Sequence, residues 1–193
     1  MSLTDSLRRA RKRSGASLRS VAARSGVGAS NLSAIENGRR DPTSSTVDRL
    51  SSAIGIEWVP VATQGRASAA RALEDIARAE AEGQFAQAYR RFIQLADDLA
   101  SADAVTRVLL SAEKPEEVPS RWVDAVAALL EVRLREVSAP VPSWVIEQGG
   151  HPDALWEPQR GTRPIALTAD LGQVLPEFVR RGVAIEQGEL VSV

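Results

Sequence analysis

The stretch Gly26-Val27-Gly28-Ala29-Ser30-Asn31-Leu32-Ser33-Ala34-Ile35-Glu36-Asn37-Gly38 decides the fold of the first part of the chain. It predicts a short helix, opened by Gly28 or Ala29, between two glycine breaks. Leu32 and Ile35 are the positions of this helix that face a core. The opposite face carries only small or hydrogen-bonding side chains: Ala29, Ser30, Ser33 and Asn37. Such a face fits the DNA major groove, about 12 Å wide, without steric conflict.

Another short helix is predicted directly before this one. Ser17 is an N-cap residue type, and apolar residues follow it at helical spacing up to Ser25. Gly26 permits the positive φ that ends the helix, and Val27 can fill the angle between the two helices. The apolar face of this helix consists of Leu18, Val21 and Ala22.

Two guanidinium groups follow the exit of the second helix. Asn37 and Gly38 stop that helix, and Arg39 and Arg40 come immediately afterwards. In this place they are well positioned to bind phosphates.

Residues 5–56 resemble the helix-turn-helix domain of the phage repressor and Cro-like (XRE-type) class of bacterial regulators. The resemblance begins with a first helix from Asp5 to Ser14 and continues through the two helices above to a closing helix near Ile54. A helical hairpin that merely packs is the alternative, and the intact spacing of four helices argues against it. The matching residues are Leu7, Ala10, Gly15-Ala16-Ser17, Val21-Ala22, Gly26-Val27, Leu32-Ser33, Glu36 to Arg40, Pro42, Thr46, Val47, Leu50 and Ala53 to Gly55.

The resemblance implies a set of DNA contacts. The base readers carried over by position are Ala29, Ser30, Asn31, Ser33 and Ala34, and the phosphate contacts are Ser17, Arg19, Asn37, Arg39, Arg40 and Ser44. Many members carry glutamine where this chain has Leu18, and a long polar or basic side chain where it has Ala34, so base specificity is expected to be modest. Serine can still bond a guanine or adenine edge, and an alanine methyl can pack against a thymine methyl.

Charge is divided unevenly along the chain, whose net charge is −1. The first 65 residues carry ten basic and five acidic residues, a net charge of +5, and the rest carry 14 basic and 20 acidic residues, a net charge of −6. The basic first part attracts phosphates of any sequence, whereas the acidic second part is expected to point away from DNA and to suit protein contacts.

Composition excludes several classes of protein. The chain has no cysteine, which excludes disulfides, thiolate catalysis, zinc fingers and thiol redox sensing. No cofactor or metal is predicted, because there is neither a phosphate-cradling glycine loop nor a metal-spaced cluster. The start of the chain lacks the apolar stretch of a signal peptide, and no run approaches the about 18 apolar residues of a membrane helix. We therefore expect a soluble cytoplasmic protein that does not contact the membrane.

We divide the 193 residues into a helix-turn-helix domain, residues 1–63, and a helical domain, residues 64–193, for dimerisation or partner binding. Just before the boundary, the segment Gly55–Val61 is apolar and β-branched. It is either an edge strand, which could pair with its copy in a dimer and in which Pro60 removes one donor, or an extended linker held by Trp58.

The second domain is predicted to be a helical bundle. A first helix runs to about Glu82, where Gly83 breaks it, and a later helix carries Val105, Val108 and Leu109. Between them lies the clearest helix of the chain, whose apolar stripe we interpret as core rather than as a ligand site. The stripe is formed by Phe85, Tyr89, Phe92, Ile93, Ala96 and Leu99, and a long helix with Trp122, Val126, Leu129 and Leu130 follows, to about Val137.

The last 55 residues are expected to be irregular but packed, because prolines interrupt them between Trp144, Trp156, Ile165 and Phe178. They include a short helix over 175–181, a strand over 182–185, and apolar residues from Leu190 to Val193 that predict a docked end. The expected fold class is thus mainly α: four or five helices in the DNA-binding domain, then a helical domain with a proline-rich tail and one or two short strands.

Catalysis is the least favoured interpretation. The single histidine, His151, lies in a turn-like stretch beside Asp153, where it could act as a general base. No nucleophile elbow and no second histidine accompany it. We predict no catalytic residues and no enzyme activity.

The second half is also similar, in Pro142-Ser143-Trp144, Trp156, Pro176-Glu177-Phe178 and Gly182-Val183, to domains fused to such readers in bacterial regulators, some of which look like antitoxins. In that group the partner is a nucleotidyltransferase-like toxin, and the antitoxin also represses the shared operon. The alternatives are a repressor that senses a ligand or another protein, and an interaction module that does not bind DNA.

Together these patterns predict a transcriptional repressor that binds double-stranded DNA. One short reader discriminates little between sequences, so we expect a homodimer on a palindromic operator.

Overall fold

The protein is described from a computed structural model that covers residues 3–159 and 169–191. The chain divides into two compact units, Met1–Val61 and Ala62–Val193. In the part of the chain so described, every helix is too short or too polar to span a membrane.

The N-terminal unit consists of four helices. Ser17 precedes α2 and its Oγ accepts a hydrogen bond from the backbone N–H of Ser20 at 3.1 Å, while Thr43 caps α4 in the same way. Gly26 ends α2 in the left-handed conformation, with φ 67°. The predicted four-helix pattern is confirmed, and the helices are α1 Leu3–Arg13, α2 Leu18–Ser25, α3 Ala29–Glu36 and α4 Ser44–Ile54.

One apolar cluster holds these four helices together. All four contribute to it, and Val27 fills the corner between α2 and α3, as predicted. Burying each large aliphatic side chain contributes about 1.5–3 kcal/mol, which short helices need because they are unstable alone. The buried members are Leu7, Val21, Val27, Leu32, Ile35, Val47, Leu50 and Ala53.

The segment after α4 has neither helical nor strand structure. Trp58 donates its indole N–H to Ser51 Oγ at 2.5 Å, and this bond ties the segment back to α4. Val59 beside it is 73% exposed. In a single copy of the chain the segment is a linker held by Trp58 and forms no strand; its pairing with a second copy stays a prediction.

The C-terminal unit is built around α8. Most residues of α8 are buried, since α5, α6, α7, α9 and α10 all pack against it. The helices are α5 Ala69–Ala81, α6 Phe85–Ala100, α7 Ala104–Ser111, α8 Trp122–Arg135, α9 Ser143–Glu147 and α10 Pro176–Val179, with 3-10 turns at Leu171–Gln173 and Gln187–Leu190.

An aromatic cluster marks the centre of this unit. The ring of Trp122 lies 5.2 Å from that of Phe92 and 5.2 Å, edge-on, from that of Trp156. Tyr89 packs against the same cluster and bonds the Glu189 carboxylate. The stripe on α6 is therefore core, as predicted.

Helix α7 is present where predicted, and of its apolar residues Leu110 faces the core while Val105 and Leu109 do not. Val105 is 69% exposed and Leu109 is 45% exposed. The buried residues on the other side are Arg107, Leu110 and Ser111. The guanidinium of Arg107 accounts for this orientation, because it donates to the carbonyls of residues 100, 102 and 133 and to the Glu136 carboxylate.

A buried ion pair connects α8 to the tail. Glu131 on α8 accepts from Arg180 and Arg181, and Arg181 is only 1% exposed. Burial alone would raise the pKa of the Glu131 carboxyl, but the hydrogen bonds and charges of these two arginines outweigh it, so the pKa is lowered. Arg181 also donates to the carbonyls of Val145, Gln148 and Glu177.

The strand predicted over 182–185 is not formed in the described part of the tail. Instead Trp156 and Val183 form an isolated parallel bridge, in which the N–H of Trp156 donates to the Gly182 carbonyl at 2.8 Å. Pro152 and Pro158 on the facing segment cannot donate, which prevents a longer ladder.

The end of the chain is partly as predicted. The helix over 175–181 is present in shortened form as α10, Pro176–Val179. Leu190 is buried, while Val191 after it is 62% exposed. Ile165 and Val193 lie outside the described residues.

Candidate nucleic-acid interface

The corner between α2 and α3 sets the direction of α3. Val27 is 4% exposed, and its backbone N–H donates to Ser25 Oγ at 3.2 Å. Leu32 and Ile35 anchor the inner face of α3 in the core, each 1% exposed. Because both the corner and the inner face are buried, the outer face of α3 has one fixed orientation within the unit.

A two-pronged ion pair ties the last turn of α3 to α1. Arg11 donates through Nε and one terminal nitrogen to the two oxygens of Glu36, both at 2.7 Å, and through its other nitrogen to the Ala16 carbonyl at 3.0 Å. Glu36 is 5% exposed. The hydrogen bonds to Glu36 raise the pKa of the Arg11 guanidinium; burial opposes this shift and the charge of Glu36 adds to it. Sequence reasoning missed this pair, since 25 residues separate its members.

The outer face of α3 holds most of the predicted base readers together. Ala29 and Ser30 are exposed at its start, and Ser33 and Ala34 are half-buried one turn later. The Ser30 hydroxyl has no partner among the described residues. These four small side chains therefore form one surface of two hydroxyls and two methyl groups; their base-reading role stays a prediction.

Asn31 differs from the other predicted readers. Its Oδ1 is buried and has no hydrogen-bond partner within the described chain. A buried unpaired amide oxygen costs about 1–3 kcal/mol. This acceptor is directed into the protein rather than toward the outer face.

Asn37 closes α3 with its own side chain. Its Nδ2 donates to the Ser33 carbonyl at 2.8 Å and lies 3.4 Å from Ser33 Oγ. Asn37 is thus an end cap as well as a predicted phosphate contact, and its amide donors are already engaged within the helix.

Arg39 and Arg40 lie just beyond this cap. Both are exposed, and within the described residues neither guanidinium has an ion-pair partner. Gly38 before them has φ 67°, the left-handed conformation that turns the chain away from the helix axis. Two unpaired guanidinium groups at a helix exit are free to bind phosphate oxygens.

The remaining predicted phosphate contacts lie at the starts of two other helices. Ser17 caps α2 and Arg19 follows, exposed, in its first turn. Ser44 is the exposed first residue of α4. Helix starts present free N–H groups and a partial positive charge, which favour phosphate.

His151 has a different partner from the one considered in the sequence. Its Nδ1 lies 2.9 Å from Oδ2 of Asp124, not beside Asp153. Asp124 is fully buried and also accepts from Arg121 and Gln148, at 2.9 and 2.8 Å. The histidine thus joins a network that packs the tail on α8. Among the described residues, no group of three or more acidic or histidine side chains has the arrangement of a metal site.

Comparison with known proteins bears on the N-terminal unit alone. No curated protein and no solved structure matches the chain significantly. Residues 2–62 match a family model described as a helix-turn-helix domain. The N-terminal unit, with α3 as the second helix of its corner, is a helix-turn-helix domain.

Proposed function

We propose that this protein is a transcription regulator that binds double-stranded DNA with α3 in the major groove. The observation that carries the proposal is the outer face of α3, which has only small side chains and is followed by two exposed arginines with no ion-pair partner among the described residues. A helix-turn-helix places its second helix in the major groove, and arginines beside that helix bind the backbone. The proposed base readers are Ala29, Ser30, Ser33 and Ala34, and of Asn31 only the amide N–H₂ group, because its Oδ1 is buried. The proposed phosphate contacts are Ser17, Arg19, Arg39, Arg40 and Ser44, while the Asn37 amide is engaged with Ser33 as the end cap of α3.

The phosphate part of the proposal is tested by the dependence of binding on salt. We would measure the affinity of the purified protein for a duplex of its own upstream region and for random duplex over a salt series. Arg39→Ala or Arg40→Ala should weaken binding to both and reduce the slope of log K against log salt by about 1. Arg90→Ala, an exposed arginine of the acidic unit, is the matched control. Unchanged slopes in Arg39→Ala and Arg40→Ala would contradict the assignment.

The base-reading part is tested by Ser30→Ala. Loss of one free hydroxyl at the outer face should reduce the preference for the upstream duplex while leaving the affinity for random duplex unchanged. Equal losses on the two duplexes would show that Ser30 does not read bases.

We further propose that the protein is a homodimeric autorepressor on a palindromic operator, and that the outer face of α7 is its dimer contact. This face consists of Val105, Val108, Leu109 and Ala112, and it carries no charge. Residues 66–193 have a net charge of −6, so two copies meet with least repulsion at an uncharged face. Two-fold symmetry presents the same patch from each copy.

The dimer is tested by sedimentation of the full chain. Val105→Asp and Leu109→Asp should shift the protein to monomer and weaken its binding to a two-half-site duplex more than to a single half-site. Ile146→Asp, which charges another exposed aliphatic residue, is the control. A dimer that survives both α7 changes would refute this contact.

A protein partner is the competing occupant of the α7 face. If the protein is an antitoxin, as the resemblance implies, this partner is a nucleotidyltransferase-like toxin. The remaining alternatives are a ligand-responsive repressor and an interaction module that does not bind DNA. Co-expression with the neighbouring gene products tests the antitoxin role. A partner that co-purifies with the wild type, but not with Leu109→Asp, would assign the face to that partner instead.

A further inference from the structure

The side-chain inventory of α3 limits which bases it can read. Between Ala29 and Glu36 the helix has no arginine, lysine or glutamine. Recognition of guanine in the major groove relies mainly on a two-pronged contact from arginine or lysine. In the chain, Arg24 precedes α3 across the Gly26 corner, and Arg39 lies beyond its end. The helix itself therefore has no group for the commonest guanine contact.

Adenine recognition is restricted as well, and here the structure supplies the reason. A two-pronged contact to adenine needs an amide that offers an oxygen and an N–H₂ group together. Asn31 has its Oδ1 buried, so that oxygen cannot accept from adenine. Asn37 has its Nδ2 engaged with the Ser33 carbonyl at 2.8 Å. Neither asparagine can make the paired contact without giving up its place in the fold.

Methyl groups remain as the main reading elements of the outer face. Ala29 is exposed and Ala34 is half-buried, and both present a bare methyl. The major-groove feature that complements a methyl is the C5-methyl of thymine. The two alanines are five residues apart, about 7.5 Å along the helix axis and about 140° around it, so they lie at the two edges of the outer face.

We infer that α3 reads thymine methyl groups through Ala29 and Ala34, and that each operator half-site contains one such thymine for each alanine. This inference rests on the proposed function. Ser30 supplements the methyl contacts with one hydroxyl bond to an adenine edge, and the sequence preference comes from thymine rather than from guanine.

The test uses base analogues in an operator enriched by the wild-type protein from a random duplex pool. Deoxyuridine in place of thymidine removes only the C5-methyl, and 7-deazaguanine in place of guanine removes only the N7 acceptor. Replacing a contacted thymine by uracil should weaken the affinity of the protein for the duplex about three- to fivefold, which is the effect of one buried methyl group. The deazaguanine duplexes should bind as well as the unmodified operator.

Protein variants show which alanine meets which thymine. In Ala29→Gly and Ala34→Gly the uracil penalty should disappear at one thymine each, because the partner methyl is already gone. Ala23→Gly, at an exposed position of α2, should keep both penalties. Thermal melting of each variant, and the retained penalty at the other thymine, separate loss of contact from loss of fold.

The possible failures are distinguishable. An operator that tolerates uracil at every position, or that weakens with deazaguanine, overturns this inference and leaves the proposed function in place. A pool from which no sequence is enriched overturns both.

Discussion

The backbone contact at Gly182 can be tested by adding a single methyl group. Gly182 has φ 68°, and a Cβ built there would overlap the carbonyl oxygen of His151 and lie 2.8 Å from its carbonyl carbon and 3.1 Å from the Ala154 oxygen. These are backbone atoms, which cannot move aside as a flexible side chain would. Gly182→Ala must therefore separate the two segments that meet at the Trp156 bridge.

Three contributions determine how much Gly182→Ala lowers the free energy of unfolding. The left-handed conformation costs alanine about 1–2 kcal/mol, and overpacking adds about 1–3 kcal/mol. Separation of the segments also strains the 2.8 Å bond from the Trp156 N–H to the Gly182 carbonyl, a bond that contributes about 1 kcal/mol. We expect a loss of about 3–6 kcal/mol from a domain stability of roughly 5–15 kcal/mol.

Gly83→Ala is the matched control. Gly83 has φ 71° and no heavy atom within 4 Å of the added Cβ, so it pays only the conformational cost of about 1–2 kcal/mol. In urea denaturation followed by far-UV circular dichroism, the Gly182 variant should lose about 1.5 M more in midpoint than the control, at a slope of about 2 kcal/mol/M. Equal midpoints for the two variants would refute the reasoning.

Three further changes address the remaining contacts. Glu36→Ala leaves the Arg11 guanidinium without its carboxylate and should lower the free energy of unfolding by about 3 kcal/mol, measured in urea. Ser17→Ala removes the cap of α2 and should lower it by about 1 kcal/mol in the same assay. The pKa of Glu131 is lowered in the folded protein, so below about pH 4.5 the unfolded chain binds more protons than the folded one, and the free energy of unfolding decreases as the pH is lowered. Glu131→Gln should reduce this pH dependence, measured by thermal melting between about pH 3 and 7.

Each of these predictions has a control or a contradicting result. Arg11→Met with Glu36→Leu removes both charges together, and it should cost less than Glu36→Ala if the loss comes from an unpaired buried charge. A melting temperature of Ser17→Ala equal to that of the wild type would exclude the cap as a stabilising contact. If Glu131→Gln and the wild type fall in parallel below about pH 4.5, other carboxylates govern acid unfolding.

The helix-turn-helix could be predicted from the sequence because its signals are local. A cap at Ser17, a glycine at 26 and apolar residues at helical spacing each act within a few positions of the residues they organise. The position of the outer face of α3 follows directly from the burial of Leu32 and Ile35. Helices α5 to α8 follow from the same periodicity, whereas α9 lies in the part of the chain that we expected to be irregular.

Contacts between distant parts of the chain could not be predicted in this way. The orientation of α7 depends on carbonyls that only the folded bundle brings to Arg107, so the sequence pattern predicted the helix but not which of its residues are buried. The partner of His151 comes from α8 rather than from the neighbouring Asp153. Likewise, that Asn31 turns its oxygen inward is a property of packing, which residue type and spacing do not contain.

The placement of the tryptophans gives each unit its own optical signal. Trp58 is the single tryptophan of the N-terminal unit and is 40% exposed. In the C-terminal unit Trp122 and Trp144 are 2% and 6% exposed, and Trp156 is half-buried against Trp122. An indole in water emits at longer wavelength and is reached by a dissolved quencher, whereas a buried indole is shielded from it. Fluorescence from one unmodified sample therefore reports on the two units separately. The long-wavelength part of the emission reports on Trp58 in the segment after α4, and the short-wavelength part reports on the buried tryptophans of the C-terminal unit.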